Sequence, residues 1–193
     1  MAAPHQTDMA RRRGLIIALV AAVLTVAVLA GLLGSRRRGP TMAPDFAVTD
    51  LDGRAVRLSA LRGRVVLLNL WTTWCAPCRE EMPSLDRLQA RMRDRAFTLL
   101  AVSQDEEGRR AVEAFLQQTR LSFPVYLDPE HRVGDRYEVW GYPETFVIDQ
   151  NGVVVERVIG PRDWASAQSI AQLEALIAAG DGAPPAPAPR EPS

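Results

Sequence analysis

The hydrophobic pattern of residues 65–92 changes at a pair of cysteines, and this change constrains the fold more than any other feature. Residues 65–71 form a nearly unbroken apolar run of strand length, rich in β-branched and aromatic side chains. After the pair, apolar residues recur at helical spacing between charges: Met82, Leu85, Leu88 and Met92. The sequence therefore predicts a buried strand that turns into an amphipathic helix, with Cys75 and Cys78 at the start of that helix.

This position suits a redox-active pair of thiols. Free backbone N–H groups and the dipole at the start of a helix stabilise negative charge, which favours a thiolate at Cys75. Cys78 lies one helical turn later, close enough to form a disulfide with it. We predict that Cys75 is the nucleophile and that Cys78 resolves the mixed disulfide that Cys75 forms. Two small buried hydrophobic side chains are the alternative, but they would require no special spacing.

The composition excludes several other classes of function. The formal net charge is zero and all 23 basic residues are arginine, so nothing indicates nucleic acid as a partner or a catalytic lysine. Both cysteines lie in one motif, and the two histidines are His5 and His131. These residues are too few for a Cys/His zinc site. We therefore expect no bound metal and no cofactor.

Changes in composition divide the chain into five segments. Residues 1–13 are a polar tail, and residues 14–34 are an uncharged apolar run. Residues 35–42 form a linker, and residues 43–179 form the folded domain. Residues 180–193 are rich in proline and alanine, and we expect them to be disordered because they cannot bury enough surface to fold.

The apolar run is predicted to be a transmembrane anchor. Its 21 uncharged residues would span roughly 30 Å as a helix, the thickness of a bilayer core. A cleaved signal peptide is the alternative, although the run exceeds the roughly 7–15 apolar residues typical of one. Arginine triplets on both sides leave the positive-inside count tied. We expect a single-pass protein of a bacterial cytoplasmic membrane, with its tail inside and its domain on the periplasmic side, where protein disulfides form.

The remaining patterns predict a mixed sheet with helices on both faces. Asp52-Gly53 and Asn151-Gly152 are turn signals, each between two apolar runs, and they predict two β-hairpins. Between the hairpins, strands alternate with helices, and a last helix is expected from Asp163 as its N-cap. The predicted fold class is therefore α/β.

A second segment is expected to complete the site. Pro143 directly precedes a predicted strand, where it cannot donate to the sheet. A cis Tyr142–Pro143 bond in a tight turn would explain it, and an ordinary trans turn is the alternative. Such a turn would leave the backbone of Tyr142 free to pair with an extended substrate segment.

Together these motifs resemble the thioredoxin superfamily and, within it, the membrane-anchored TlpA/ResA-like thiol–disulfide oxidoreductases. The resemblance runs from about Ala43 to Ala179, and its strongest blocks are residues 69–83 and residues 141–146. Residues 160–166, with Gly-Pro and Trp-Ala-Ser, are closer to the TlpA branch. The resemblance implies a thioredoxin-like fold with an N-terminal β-hairpin and an αβ insertion.

The resemblance also implies the roles of the site residues. Cys75 would attack, Cys78 would resolve, and a cis Pro143 would lie beside them, with Trp74 and Tyr142 contacting the substrate. Such proteins reduce cysteines of extracytoplasmic clients in cytochrome c maturation or copper-site assembly, and they receive electrons from an upstream membrane donor. The residues leave the direction of electron flow open.

One position departs from thioredoxin, which has a buried aspartate that helps to move the proton of the resolving thiol. Asn69 occupies that position here and cannot accept a proton. Glu144 is our candidate for the proton acceptor, with Asp105 or Glu106 as alternatives, because a carboxylate buried near a thiol suits this task.

Two other functions fit parts of the sequence. Thiol peroxidases of the peroxiredoxin type share the basic fold and have a threonine three residues before their reactive cysteine, as Thr72 is here, but the preceding proline is missing. A non-catalytic thioredoxin-like module that binds copper or a client protein is the other, since two thiolates can hold a soft metal.

Overall fold

A mixed sheet of eight strands organises residues 41–180, the part of the chain that the computed structural model describes. The strands are β1 (Thr41–Met42), β2 (Ala47–Asp50), β3 (Ala55–Arg57), β4 (Val65–Trp71), β5 (Phe97–Ser103), β6 (Val125–Leu127), β7 (Glu144–Ile148) and β8 (Val153–Ile159). The helices are α1 (Ala76–Arg91), α2 (Arg109–Gln118), α3 (Arg132–Arg136) and α4 (Ala167–Gly180), with a 3₁₀ helix at Leu58–Leu61. The strand order is β1-β8-β7-β4-β5-β6-β2-β3.

Strand β4 lies at the centre of this sheet. It pairs in parallel with β5 and antiparallel with β7, and all seven of its residues are buried. A strand covered on both faces needs apolar side chains on both, which explains why its sequence is a continuous apolar run rather than an alternating one. The cysteine pair follows β4 after residues 72–74, so the redox motif is attached to the central strand of the sheet.

Helices cover both faces of the sheet, as predicted. On one face, α1, α2 and α4 pack against alternate residues of β4, which include Leu67 and Trp71. On the other face, α3 and the 3₁₀ helix pack against the intervening residues, which include Leu68 and Leu70. The sheet therefore separates two hydrophobic cores, and a side chain on β4 or β7 belongs to only one of them.

Both hairpins that the turn signals predict are present. Strands β2 and β3 pair antiparallel around Asp52-Gly53, and β7 pairs antiparallel with β8 around Asn151-Gly152. Gly152 has a φ of +78°, a conformation that favours glycine. Its carbonyl oxygen accepts a hydrogen bond from Ala43 N at 2.8 Å, just after β1 has paired with β8. β1 itself lies in the predicted linker, so the folded domain begins before residue 43.

The last helix begins later than predicted. It starts at Ala167 rather than near Asp163, and Ser166 is its N-cap, because Ser166 Oγ accepts a hydrogen bond from Ser169 N at 3.2 Å. Asp163 instead accepts from Ala165 N at 3.0 Å in the turn before the helix. Both residues have the side chains that favour capping, and the sequence alone does not distinguish them.

Several predictions concern residues outside 41–180. The cytoplasmic tail at 1–13, the anchor at 14–34, most of the linker and residues 181–193 of the C-terminal tail lie outside the described residues. Within the described part of the chain, no helix has the length and apolar character needed to cross a membrane.

Candidate active site

The two cysteines lie at the first turn of α1 and are joined by a disulfide, with their Cα atoms 5.3 Å apart. Cys75 is the N-cap, and its Sγ accepts a hydrogen bond from Cys78 N at 3.2 Å. Cys75 retains 6% exposure, whereas Cys78 is completely buried. Of the two sulfurs, Cys75 is therefore the one that a partner protein can approach, which agrees with the predicted attacking and resolving roles.

Asp105 fixes the loop that leads to Cys75. Its carboxylate accepts hydrogen bonds from Thr73 N at 3.0 and 3.1 Å, from Thr73 Oγ1 at 2.7 Å and from Ser103 Oγ at 2.8 Å. These contacts commit Asp105 to holding the loop. Its neighbour Glu106 is exposed, so Glu106 does not share the buried surroundings of Cys78.

The second predicted segment comes to the same place as the cysteines. The Tyr142–Pro143 bond is cis, as predicted. The Tyr142 ring contacts the Trp74 ring edge-on, with centroids 6.1 Å apart, and Tyr142 Oη lies 3.2 Å from His131 Nδ1. Trp74 and Tyr142 thus form a continuous aromatic surface beside the cysteine pair, and 71% of Trp74 is exposed.

The structure does not support the role predicted for Glu144. Glu144 is opposite Leu70 in the pairing of β4 with β7, so its side chain lies on the Leu70 face of the sheet. Cys78 packs in the core on the other face. Glu144 is also buried against Arg157, with which it forms an ion pair. It therefore holds an arginine on the second face rather than serving the resolving thiol.

Glu81, a buried carboxylate that was not predicted from the sequence, lies on the same face of the sheet as Cys78. Glu81 is only 3% exposed, and its Oε1 accepts a hydrogen bond from Asn69 Nδ2 at 2.8 Å. Its Oε2 accepts from Arg162 N at 3.1 Å and from Trp164 Nε1 at 3.3 Å. Burial raises the pKa of Glu81, and these three hydrogen bonds offset part of that rise.

Helical spacing places Glu81 next to the resolving thiol. Cys78 and Glu81 are three residues apart on α1 and both are buried, so their Cβ atoms lie on one face at roughly 5–6 Å. Glu81 could have been found from two signals. It occupies a core position of the α1 pattern, between Cys78 and Leu85, and Asn69 within an apolar strand requires a buried polar partner.

Asn69 therefore has a different task from that of the thioredoxin aspartate. Its Nδ2 group also donates to Thr145 Oγ1 at 2.9 Å, on the strand next to β4. The amide thus fixes the carboxylate of Glu81 to the centre of the sheet. Within residues 41–180, no group of three or more His, Cys, Asp or Glu side chains is arranged to hold a metal ion.

Comparisons with known proteins agree with this chemistry. Residues 40–157 match the AhpC/TSA family. The thiol-disulfide oxidoreductase ResA of Bacillus cereus (strain ZK / E33L) is 41% identical over 118 residues, which cover 61% of this chain and 68% of that protein. The thioredoxin-like protein YneN of Bacillus subtilis (strain 168) is 37% identical over 119 residues, or 61% of this chain and 69% of that protein.

A solved structure gives the same result for the fold. The crystal structure of a thiol:disulfide interchange protein of the thioredoxin family from Chlorobium tepidum TLS superposes with a TM-score of 0.58 at 30% identity. The match covers 74% of this chain and 97% of that chain. The thioredoxin-like fold expected from the sequence is therefore present.

Proposed function

This chain belongs to the AhpC/TSA family and is a ResA-like thiol–disulfide oxidoreductase of the thioredoxin superfamily, and we propose that it reduces disulfides of client proteins outside the cytoplasm. The observation that carries the proposal is the asymmetry of the pair. Cys75 is accessible at the start of α1, and Cys78 is completely buried behind it next to Glu81. One sulfur can meet a client, and the other can only complete the exchange.

The reaction begins from the dithiol form. The Cys75 thiolate attacks one sulfur of the client disulfide, which forms a mixed disulfide and releases the other client sulfur as a thiolate. Cys78 then loses its proton and attacks Sγ of Cys75, which releases the second client thiolate. The client gains two electrons and the protein is left with the Cys75–Cys78 disulfide, the form that this structure holds.

Glu81 is the proton acceptor in this proposal. Cys78 must lose a proton in surroundings that exclude water, and Glu81 is the carboxylate one helical turn away on the same buried face. Because burial raises its pKa, Glu81 is a stronger base than an exposed carboxylate would be. Asn69 holds it in position through the hydrogen bond at 2.8 Å.

Membrane attachment and the class of client are parts of the proposal that rest on the sequence. Residues 14–34 would anchor the chain in the cytoplasmic membrane, with residues 43–179 on the outer side. A second dithiol protein in that membrane would return the Cys75–Cys78 disulfide to the dithiol. The resemblance to the TlpA/ResA-like proteins favours clients of cytochrome c maturation or copper-site assembly.

An exchange assay tests the proposed reaction. The reduced protein is mixed with a peptide that contains a disulfide, and both reduced peptide and oxidised protein are measured with time. We expect one reduced peptide for each protein disulfide formed, no reaction for Cys75→Ser, and a stable mixed disulfide for Cys78→Ser. Inactivity of the wild-type dithiol towards peptide disulfides, together with rapid consumption of hydrogen peroxide, would overturn the proposal in favour of a thiol peroxidase.

A further inference from the structure

A cavity of about 430 Å³ is lined by Thr73 and Trp74, the two residues that precede the attacking cysteine. Trp74, the residue before Cys75, forms one wall of it, and the β5–α2 loop and His131 form much of the rest. The mechanism described above uses no group that faces this cavity. Because Trp74 and Cys75 are neighbours in the chain, the cavity is within reach of a client segment bound at Cys75.

The polar lining of the cavity consists mainly of hydrogen-bond acceptors. Asp105, Glu106 and Glu107 contribute carboxylates, and no arginine is among the lining residues. Asp105 is saturated by the loop that it holds, and Glu107 forms an ion pair with Arg110. Glu106 is exposed, and it has no ion pair among the described residues. A negative charge thus faces the cavity without a counter-ion from the described part of the chain.

Two residues that line the cavity each have a polar atom that is inaccessible to solvent and has no partner among the described residues. Gln104 is 1% exposed, and although its Nε2 donates to Asp128 at 2.9 Å, its Oε1 receives no hydrogen bond from the described residues. His131 Nε2 is likewise buried without a partner, while Nδ1 faces Tyr142 Oη. Gln104 Oε1 lies against Gly134, and neither atom is accessible, so the groups that a ligand in the cavity can contact are the exposed ones, Glu106 and Trp74.

The aromatic wall favours the same kind of ligand as the acceptors. Trp74 is 71% exposed, so its ring is available on the cavity side. A cation over the face of a tryptophan ring is attracted by the ring quadrupole. Arginine combines a positive charge, five N–H donors and a flat surface that stacks on aromatic rings, and it has no acceptor.

We infer that this cavity binds a cationic side chain, with arginine as the best fit, from the client segment whose disulfide Cys75 attacks. The guanidinium would pair with Glu106 and stack on Trp74. Since Trp74 adjoins Cys75, the cation would lie within about three residues of the client cysteine. This inference rests on the proposed function and adds a sequence preference to it.

Matched peptides test the preference. Three peptide disulfides differ only in the residue next to the attacked cysteine: arginine, its uncharged analogue citrulline, or glutamate. Stopped-flow measurements with the reduced wild-type chain give the rate constant for attack by Cys75. We expect the arginine peptide to react about tenfold faster than the citrulline peptide, as one charge-assisted contact supplies, and the glutamate peptide to react most slowly.

Variants at Glu106 separate binding in the cavity from general attraction. In Glu106→Gln the ratio of arginine to citrulline rates should fall towards one, and in Glu106→Arg the glutamate peptide should become the faster substrate. Glu80→Arg is the matched control, because Glu80 is exposed on α1 outside this cavity and the change in net charge is the same. The control should retain the wild-type order.

The outcomes distinguish this inference from the proposed function. Equal rates for the three peptides with the wild-type chain would overturn the proposed binding of a cation in the cavity. A preference that Glu80→Arg alters as much as Glu106→Arg does would have the same consequence. Neither result would contradict the exchange reaction. Failure to reduce any of the peptides would overturn both.

Discussion

At the scale of single residues, we propose that Asn69 and Glu81 together replace the buried aspartate of thioredoxin, with Asn69 as the positioning group and Glu81 as the proton acceptor. Asn69 cannot accept a proton, but it donates to both Glu81 and Thr145 and so fixes Glu81 to the central strands. The titratable group is then Glu81, which lies on helix α1, whereas the thioredoxin aspartate corresponds to Asn69 on strand β4. Its raised pKa follows from burial rather than from a neighbouring negative charge.

Replacing Glu81 with glutamine should slow the resolving step and leave the first attack largely unchanged. General-base assistance contributes roughly 10²–10⁴-fold to proton transfer, so a decrease of about 10²-fold is expected near neutral pH. Reduced protein mixed with a chromophoric disulfide releases one thiol in each step, and stopped-flow absorbance separates the two. Glu144→Gln is the matched control, and a selective slowing of resolution in this variant alone would restore the role that the sequence suggested for Glu144.

The same substitution should change how stability depends on pH. Because the native pKa of Glu81 is raised above its unfolded value, the native state binds more protons between these two pKa values. The wild type therefore loses free energy of unfolding as the pH rises through that interval, and Glu81→Gln lacks this loss. Urea unfolding across this range should show that the stability of Glu81→Gln, relative to that of the wild type, increases as the pH rises. A difference that is constant with pH would contradict the raised pKa.

At the scale of elements, the active-site loop depends on a residue that follows the adjacent strand. Residues 72–75 lie between β4 and α1, and Asp105, just after β5, holds Thr73 through its backbone and side chain. Since β4 and β5 are parallel, their carboxyl ends meet at the same edge of the sheet, which brings Asp105 to the loop.

Asp105→Ala should therefore destabilise the protein and misplace Cys75. It removes several hydrogen bonds from a buried site, so we expect a cost of about 1–3 kcal/mol in the free energy of unfolding and a slower first attack. Glu107→Ala is the control, because it removes only an exposed ion pair with Arg110, worth about 0–1 kcal/mol. Urea unfolding and the rate of thiol release measure both effects, and equal costs for the two variants would argue against this role for Asp105.

Local signals in the sequence predict most helices and strands. They do not predict which side chains lie on which face of the sheet. The β4–α1 junction and both hairpins follow from apolar periodicity and from Asp-Gly and Asn-Gly turns. The sequence did not show that Glu144 lies on the face away from Cys78, because that face depends on the register that follows Pro143, and a shift of one residue reverses every side chain of a strand. Glu81 was missed because a charged helical residue is normally exposed, although its core position on α1 and the polar Asn69 in an apolar strand both pointed to it; the contacts with Asn69 and Trp164 explain its burial.

At the scale of the whole molecule, the proposed role needs the catalytic domain to meet clients outside the cytoplasm. The charges on the two sides of residues 14–34 do not decide the orientation, so it must be measured. A fusion of alkaline phosphatase after residue 193 should be active in cells and should sediment with membranes. An inactive fusion would place the domain in the cytoplasm, and an active fusion in the soluble periplasmic fraction would indicate a cleaved signal peptide instead of an anchor.

A trapping experiment with the full-length Cys78→Ser chain in cells tests whether Cys75 exchanges disulfides with client proteins. Without the resolving thiol, Cys75 should remain in disulfide-linked adducts that a reductant releases and that mass spectrometry assigns to extracytoplasmic proteins with cysteines. The double variant Cys75→Ser, Cys78→Ser should form none. The absence of adducts on Cys75, or the same adducts in the double variant, would contradict a dithiol mechanism that acts on proteins.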